Sequence, residues 1–355
     1  MKTCLHSIKG GGLALLLPWI FFQACMGQEG SLYRIRTLAF YNLENLFDTH
    51  RDTLIYDGAR TPRGKDRWTQ ERYQEKIGKM AWVLSQIGRD PAPGAPDLIG
   101  VCEVENRRVL NDLVWHPRLR REQYGIIHFD SPDERGIDVA LLYKKAAFSP
   151  TASKSHRLLL YDADQQRDYT RDVLVVSGLL DGEELYLLVN HWPSRSGGQA
   201  RSDPYRKAAA ELNLKIIDSI YRWEAHPKLV VMGDFNDNPL DDSLKKILKS
   251  TGDTAKPEAR QLYNPMEALY KKGAGSLAYR DTWSLFDQIL LSANWLPTQQ
   301  EGYHFWKAGI YDPPYLSQQR GRFRSYPYRT YTGGRYTGGY SDHFPVYAYL
   351  LRKAP

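Results

Sequence analysis

Cysteine is scarce in this sequence, with three in 355 residues, at positions 4, 25 and 102. One of them lies in an apolar run and two near the N-terminus, so no disulfide framework is indicated and a packed core must hold the fold. Clustered Cys and His with zinc spacing are also missing, which disfavours a zinc site. Beyond the N-terminal segment, no apolar run is long enough to span a bilayer as a helix. No low-complexity linker divides the chain. Neither sign of charge dominates, since 48 Lys and Arg face 41 Asp and Glu for a formal net charge of +7. That mild basic balance favours anionic partners without requiring one. What is present, 42% hydrophobic and 25% charged residues, is the composition of a globular chain long enough to bury a sizeable core.

The first residues read "MKTCLHSIKGGGLALLLPWIFFQACMGQEG". Lysines at 2 and 9, an apolar run from Leu13 to Phe22 and small residues from Ala24 to Gly27 are ordered as in a secretory signal. The expectation is a signal peptide over 1–27 and a single domain over 28–355. Losing the leader would remove Lys2 and Lys9 but no acid, leaving a net charge of +5. Cys25 stands where a bacterial lipoprotein keeps its lipidated cysteine, although Phe22-Gln23-Ala24 matches that pattern poorly. An exported protein is expected: periplasmic, extracellular or lipid-anchored at the bacterial surface. No obligate protein partner is indicated.

"WTQERYQEKIGKMAWVLSQIG" places Tyr73, Ile77, Ala81 and Leu84 on one helical stripe. "DPYRKAAAELNLKIIDSIYRW" predicts a helix with Asp203 as N-cap and Pro204 in its first position. "RRVLNDLVWHPRL" and "DDSLKKILKS" are shorter candidates. Between them run compact apolar segments: "TLAFYNLENLF", "DLIGVCEVEN", "GIDVALLYKK", "DVLVVSGLL", "ELYLLVNHW", "KLVVMGDFN", "SLFDQILLS" and "FPVYAYLL". Many strands with interspersed helices predict a layered α/β domain.

Several apolar segments carry polar residues at one end: Asn42 and Glu44, Glu103, His191, Asp234 and Asn236, then Asp342 and His343 just before the last strand. Any one of these is an ordinary turn or cap residue. If the last strand runs antiparallel to the others, however, its start lies at their ends and all of these residues converge on one rim.

The ordered set "YNLEN", "DLIGVCEVEN", "LLVNHWPS", "VVMGDFNDNP", "LFDQILLS" and "GYSDHFPVYAYL" resembles the endonuclease/exonuclease/phosphatase superfamily, of the deoxyribonuclease-I-like type, from about residue 37 to 350. The resemblance implies a four-layer αββα sandwich of two packed mixed β-sheets with a divalent-metal site at one rim. It also implies roles. Glu103 resembles the principal metal ligand, with Asn42 beside it, Glu44 at a position where relatives carry an acid, and Asp342 as a second carboxylate on the metal side. Asp234 resembles the residue that orients or deprotonates the attacking water, and Asn236 the one that holds water and phosphate. His343 resembles the phosphate-binding histidine, Asp287 its orienting partner, and His191 the histidine of the deoxyribonuclease and sphingomyelinase branches.

The residue types support the same chemistry. Hydrolysis of a phosphate ester needs charge neutralised on non-bridging oxygens, a water aligned with the leaving oxygen, and a proton donor. An oxygen-rich ligand set suits a hard cation, Mg²⁺ first, with Mn²⁺ or Ca²⁺ as alternatives. A histidine paired with a carboxylate holds its proton and suits an anionic phosphate. The leading expectation is a secreted, metal-dependent phosphodiesterase acting on nucleic acid. An alternative is a phosphoesterase for lipid head groups or inositol phosphates, for which "HFWKAGIYDPPYL" at 304–316 would form an apolar loop near the rim. A binder retaining only the fold is the third reading, and the intact residue set argues against it.

Weaker signals surround the set. Arg135 and Asp138 either border the site or form a turn at Gly136. Asn190 should face away from His191 and be structural. "SRSGGQARSDP" reads as a solvated loop, with Arg195 and Arg201 as candidate phosphate contacts. Arg320, Arg322, Arg324, Arg329 and Arg335 alternate with tyrosines up to Tyr340, a pattern that suits a nucleic-acid strand or a Tyr-rich loop packed on itself.

Overall fold

Strand β1 (Tyr33–Leu46) shows how the layers arise. Its side chains alternate, so Leu38 and Phe40 enter one apolar cluster while Ala39, Tyr41 and Leu43 enter another on the opposite face. The strand is buried on both faces. The computed structural model describes residues 32–254, 258, 260–297 and 302–354, and Tyr33 onward forms one unit. The expected leader, its cleavage region and Cys25 lie outside the described residues.

The first sheet holds β1, β2 (Leu98–Val104), β3 (Tyr124–His128), β4 (Asp138–Lys144), β15 (His304–Ile310) and β18 (Val346–Lys353), in the order β15-β18-β1-β2-β4-β3. The second holds β5 (Phe148–His156), β8 (Val173–Leu180), β9 (Glu183–His191), β10 (Leu229–Asp234), β11 (Leu262–Tyr263) and β14 (Asp287–Ser292), in the order β11-β14-β10-β9-β8-β5. Each sheet is mixed in the same way: one parallel pair at its centre, β1 with β2 and β9 with β10, and antiparallel neighbours outside. The inner faces share an apolar layer that includes Leu38, Phe40, Leu187, Val230 and Met232. At Gly100 in β2 the sheets approach so closely that a Cβ would lie 2.6 Å from the Met232 sulfur, so glycine is required there by space.

Helices α1 (Gln70–Gln86) and α2 (Arg107–Val114) cover the outer face of the first sheet, and α3 (Gln199–Ile220) that of the second. This is the expected αββα sandwich. In α1 the anticipated stripe of Tyr73, Ile77, Ala81 and Leu84 is buried, and the Thr69 hydroxyl caps the helix by accepting from the Arg72 N–H. A fourth helix, α4 (Met266–Lys271), precedes β14. Three ribbons complete the fold: β6 (Leu160–Tyr161) with β7 (Arg167–Asp168), β12 (Leu277–Tyr279) with β13 (Thr282–Ser284), and β16 (Tyr331–Thr332) with β17 (Arg335–Tyr336). Gly333 and Gly334 turn the last ribbon with φ of +57° and +77°, the left-handed pair a two-residue hairpin needs. Among the described residues no helix is long and apolar enough to cross a membrane.

Two expectations are corrected. Helix α3 starts at Gln199 after Gly198, so Asp203 is an intrahelical partner of Lys207 at 2.7 Å rather than the N-cap, and Pro204 lies inside the helix. Helical bonding already begins at the Ser202 N–H, which donates to the Gly198 carbonyl, so Pro204 lies past the unpaired first turn and its missing N–H costs the helix one bond. Residues 304–310 form no rim loop: they are β15, hydrogen-bonded along β18.

Candidate active site at the rim of the two sheets

The two central parallel pairs end at the same rim. Asp234, the last residue of β10, lies level with His191 of β9 and opposite Asp287 of β14. Because β18 runs antiparallel to β1, the segment Ser341–Phe344 that precedes it returns to this rim. The structure therefore brings together residues separated by up to some three hundred positions. Asn42 Nδ2 donates to Asp234 Oδ2 at 3.1 Å. His191 Nε2 is 3.7 Å and His343 Nε2 3.9 Å from that oxygen. Glu103 Oε1 is 3.9 Å from His191 Nε2. His343 Nδ1 is bonded to Asp287 Oδ2 at 2.6 Å.

Local backbone distortion aims these groups. The β1–β2 register shifts between Asn42 and Leu46, and the β2–β4 register between Cys102 and Val104, so an irregularity falls at Glu44 and at Glu103. Glu44, Asn45, Glu103 and Asn236 all have φ between +48° and +58°, values costly for residues with a Cβ and typical of functional sites. Each distortion is held by a hydrogen bond. The Asn45 N–H donates to Glu103 Oε2 at 2.9 Å, the Glu44 N–H to Asn42 Oδ1 at 2.9 Å, and the Asn236 N–H to Asp234 Oδ1 at 3.0 Å. Asn236 Nδ2 donates to the Trp192 carbonyl at 3.0 Å.

Electrostatics separate the two histidines. Burial and the nearby cations Arg171, Arg135 and His343 hold His191 well below the usual imidazole range, so it is neutral. Among the described residues its buried Nδ1 has no hydrogen-bond partner, and Nε2 faces the carboxylates. Burial would also lower His343, but Asp287 and Asp234 overcome it and hold the ring well above the usual range as an imidazolium. Burial pushes the Asp234 carboxyl up to about 7, opposed by His343 and by the Asn236 and Asn42 hydrogen bonds. A buried carboxylate between a neutral and a charged imidazole is a polarised arrangement for moving a proton.

Glu44 and Asp342 stand apart from this cluster. Both turn to Arg329, whose Nε is 3.3 Å from Glu44 Oε1 and whose second amino group is 2.5 Å from Asp342 Oδ2. The Thr330 N–H donates to Glu44 Oε2 at 2.6 Å. Burial and then the Asp342 charge push the Glu44 carboxyl up. Behind it, buried Lys76 donates to Thr330 Oγ1 at 2.8 Å and to the Tyr340 carbonyl, with its Nζ 3.9 Å from Glu44.

The donors suit a hard divalent cation. Glu103 retains one carboxylate oxygen facing the cluster and Asn42 supplies a carbonyl oxygen, while Cys102 beneath them is held protonated by burial. Glu103 and Asn42 are thus placed to hold a cation, whereas a chain cation already balances Glu44 and Asp342.

Several positioning residues were not anticipated. Arg171 donates to the carbonyls of His191 at 3.2 Å and Trp192 at 2.7 Å, anchored by Asp133 at 2.9 Å. The segment expected to be a solvated loop is pinned at Arg195, which donates to the Asn236 carbonyl at 2.7 Å and to Asp241 at 2.6 Å and lies over the Phe286 ring. Ser341 donates to the Asn42 carbonyl at 2.7 Å. Lys76 had one visible signal, a lysine in register with an apolar stripe. Arg171 had none, and Arg195 stood only as a candidate phosphate contact in a solvated loop. Asp138 is a turn clasp, 2.9 Å from His128 Nε2 and accepting from the Ser131 N–H. Asn190 faces α3 through Asn213, 2.8 Å away, as expected.

The sequence pattern of the Endonuclease/Exonuclease/phosphatase family matches residues 37–352. No curated protein sequence matches the chain. Among solved structures, the chain is similar to D. rerio TDP2 complexed with a single-strand DNA product, with a TM-score of 0.51, 15% identity, and coverage of 89% of this chain and 98% of that one. It is similar to a mannosyl-6-phosphatase of Bacteroides thetaiotaomicron, with a TM-score of 0.52, 17% identity and coverage of 89% and 99%. The human Nocturnin catalytic domain gives a TM-score of 0.52 at 17% identity, with coverage of 89% and 93%. At these identities the structural likeness speaks for the fold alone. The match over nearly all of the unit from Tyr33 onward, on a fold that gathers its polar strand ends at one rim, makes this chain a member of the endonuclease/exonuclease/phosphatase family of metal-dependent phosphoesterases.

Proposed function

We propose that the chain is a nuclease that hydrolyses phosphodiester bonds of nucleic acid, with Asp234 holding and deprotonating the attacking water. The observation that carries this reading is Asp234 Oδ2, buried at the end of β10 and approached by Asn42 and by the Nε2 atoms of both histidines. Asn236, its amide nitrogen held by Trp192, offers its carbonyl oxygen to the same water. His343, kept protonated by Asp287, donates a hydrogen bond to a non-bridging phosphate oxygen. Neutral His191 places Nε2 between Glu103 and Asp234, 3.9 Å and 3.7 Å from their carboxylate oxygens. A divalent cation held by Glu103 and Asn42 would neutralise charge on the phosphate.

Nucleic acid is favoured by the basic balance of the chain and by the arginine-rich segment that leads into Asp342 and His343. The D. rerio TDP2 structure contains a single-strand DNA product, which suits the same reading. The head-group alternative keeps only part of its expected loop, since residues 304–310 form a strand and 311–316 follow it at the rim, with the Tyr311 N–H donating to the Pro345 carbonyl. The test is hydrolysis of single-stranded DNA, duplex DNA, RNA, sphingomyelin, inositol polyphosphates and bis(4-nitrophenyl) phosphate, each with Mg²⁺ or Mn²⁺ at low and high salt. Nucleic acid should be cleaved with a rate that falls steeply with salt, because phosphate contacts release counterions, and chelation should abolish all turnover. Cleavage of head-group substrates alone would refute the nuclease reading, and full activity in chelator would refute the metal-assisted mechanism.

A further inference from the structure

Beside the candidate site lies a second cavity, of about 340 Å³, which ends at Arg329 and Asp342. One wall is the turn of the β12–β13 hairpin, with Tyr279 and Arg280; the other is the segment 314–340, with Arg322, Phe323 and Tyr326. Both walls are tethered to the chemistry. The hairpin runs through Leu285 and Phe286 into Asp287, and the segment 314–340 runs into Asp342 and His343. Trp283 locks them together, stacking on Phe344 with 6.1 Å between centroids and 17° between planes and lying 6.0 Å from Tyr326.

The lining has unsatisfied character. Arg280 lies over the Tyr279 ring at 5.2 Å and Arg322 beside Phe323 at 5.8 Å, yet among the described residues neither guanidinium forms an ion pair with a carboxylate. Of the two acids that line it, Asp281 accepts from the Tyr326 hydroxyl at 2.6 Å and Asp342 is paired with Arg329 at 2.5 Å. Tyr279 and Phe323 are 66% and 38% exposed, each within an exposed stretch of chain. Two unpaired guanidinium groups call for an anion, and two open rings call for a planar partner. A neutral sugar needs no such charge, and an acyl chain has no use for it. A cavity of this volume admits one sugar and base, whereas a paired base brings its complement with it.

We propose that this cavity is a subsite for one unpaired nucleotide adjacent to the scissile phosphate, its base stacked on Phe323 and Tyr279 and its next phosphate held by Arg280 and Arg322. The proposal rests on the nucleic-acid reading above. That chemistry is offered equally by an unpaired strand end and by a free small nucleotide.

The test compares wild type with an Arg322→Ala/Phe323→Ala variant of the full chain on a single-stranded oligonucleotide, a blunt duplex of the same sequence, a 5′-phosphorylated dinucleotide and bis(4-nitrophenyl) phosphate. Loss of one stacking ring and one phosphate contact should raise KM for the single strand, the dinucleotide or both by about tenfold or more. Hydrolysis of the bis-aryl ester should stay within about twofold, since that probe has no group for the subsite. The blunt duplex should be cleaved more slowly than the single strand, and Phe323→Tyr should keep wild-type KM. An unchanged KM on both nucleotide substrates, or a duplex cleaved as fast as the single strand, would overturn the subsite while leaving the nuclease reading standing. Turnover of the bis-aryl ester with no cleavage of any nucleotide substrate would instead reject the nuclease reading, and the subsite with it.

Discussion

At the scale of the residue, the site consists of common side chains made unusual by burial. Asp234 is 2% exposed, His191 4% and His343 7%, so each charge answers to its neighbours rather than to water. His343 stays charged because Asp287, 2.6 Å away, and Asp234 overcome its burial, and His191 stays neutral because burial, then Arg171 and Arg135, disfavour its charge. Asp234→Asn keeps the size and removes the base, while His343→Ala removes the phosphate donor. Each substitution should lower kcat/KM by about 10² to 10⁴-fold with the fold retained, as judged by steady-state rates beside circular dichroism. A variant turning over near the wild-type rate would place the chemistry elsewhere. Glu103, Asp234 and His343 were legible as candidates in the sequence, since each ends or precedes an apolar run. Arg171 was not, and Arg195 was legible only as a candidate phosphate contact, because both hold backbone carbonyls of distant residues and nothing in their own segments marks that.

At the scale of the element, the joint between β1 and α2 is as informative as the strands. The Glu105 N–H donates to the Leu46 carbonyl at 3.1 Å, and Glu105 Oε2 accepts from the Asp48 N–H at 2.7 Å, tying the end of β1 to the start of α2. Burial pushes the Glu105 carboxyl up to about 8, with Asp48, Asp57 and Asp52 adding to the effect and the Asp48 N–H opposing it. The folded chain therefore keeps a proton that the unfolded chain releases near pH 4.5, and stability is lost as pH rises from there to about 8. Glu105→Gln keeps an acceptor for the Asp48 N–H and removes the titration. Its unfolding free energy, from urea titration, should fall less than that of wild type between pH 5 and pH 8, by an amount on the order of a few kcal/mol at most. Parallel slopes in the two proteins would show that Glu105 ionises normally. The segment 314–340 belongs to the same scale. Its tyrosines divide their work, Tyr331 and Tyr336 packing on Trp68 and α1 while Phe323 and Tyr326 line the cavity. Alternating Arg and Tyr in the sequence gave no hint of that division, in which the ribbon of Tyr331 and Tyr336 packs on Trp68 and the preceding stretch with Phe323 and Tyr326 lines the cavity.

At the scale of the whole molecule, two similar half-sandwiches meet at a rim where strand ends supply the chemistry. Export is the prediction that belongs here, because it concerns the chain as the cell handles it. Lysines followed by an apolar run and small residues up to Gly27 should be read as a signal, so intact-mass measurement on protein from its native host should show cleavage near residues 24 to 28. Additional lipid mass on Cys25 would identify an anchored form. A chain still beginning at Met1 would contradict export.

By itself the sequence determined a layered α/β domain, because compact apolar runs and helical stripes are local signals of burial, and it determined the order of the polar strand ends, whereas the four layers were what the family resemblance implied. Only the tertiary structure decided which of those ends meet. The parallel pairing of β1 with β2 and of β9 with β10, the antiparallel return of β14 and β18, and left-handed residues at Glu103 and Asn236 are long-range choices, made by packing two sheets face to face. Arg329 illustrates the difference most directly. As a letter it is one arginine among several, and only the closed fold sets it between Glu44 and Asp342 at the mouth of the cavity, because Coulomb attraction acts on distance in space and not on separation along the chain.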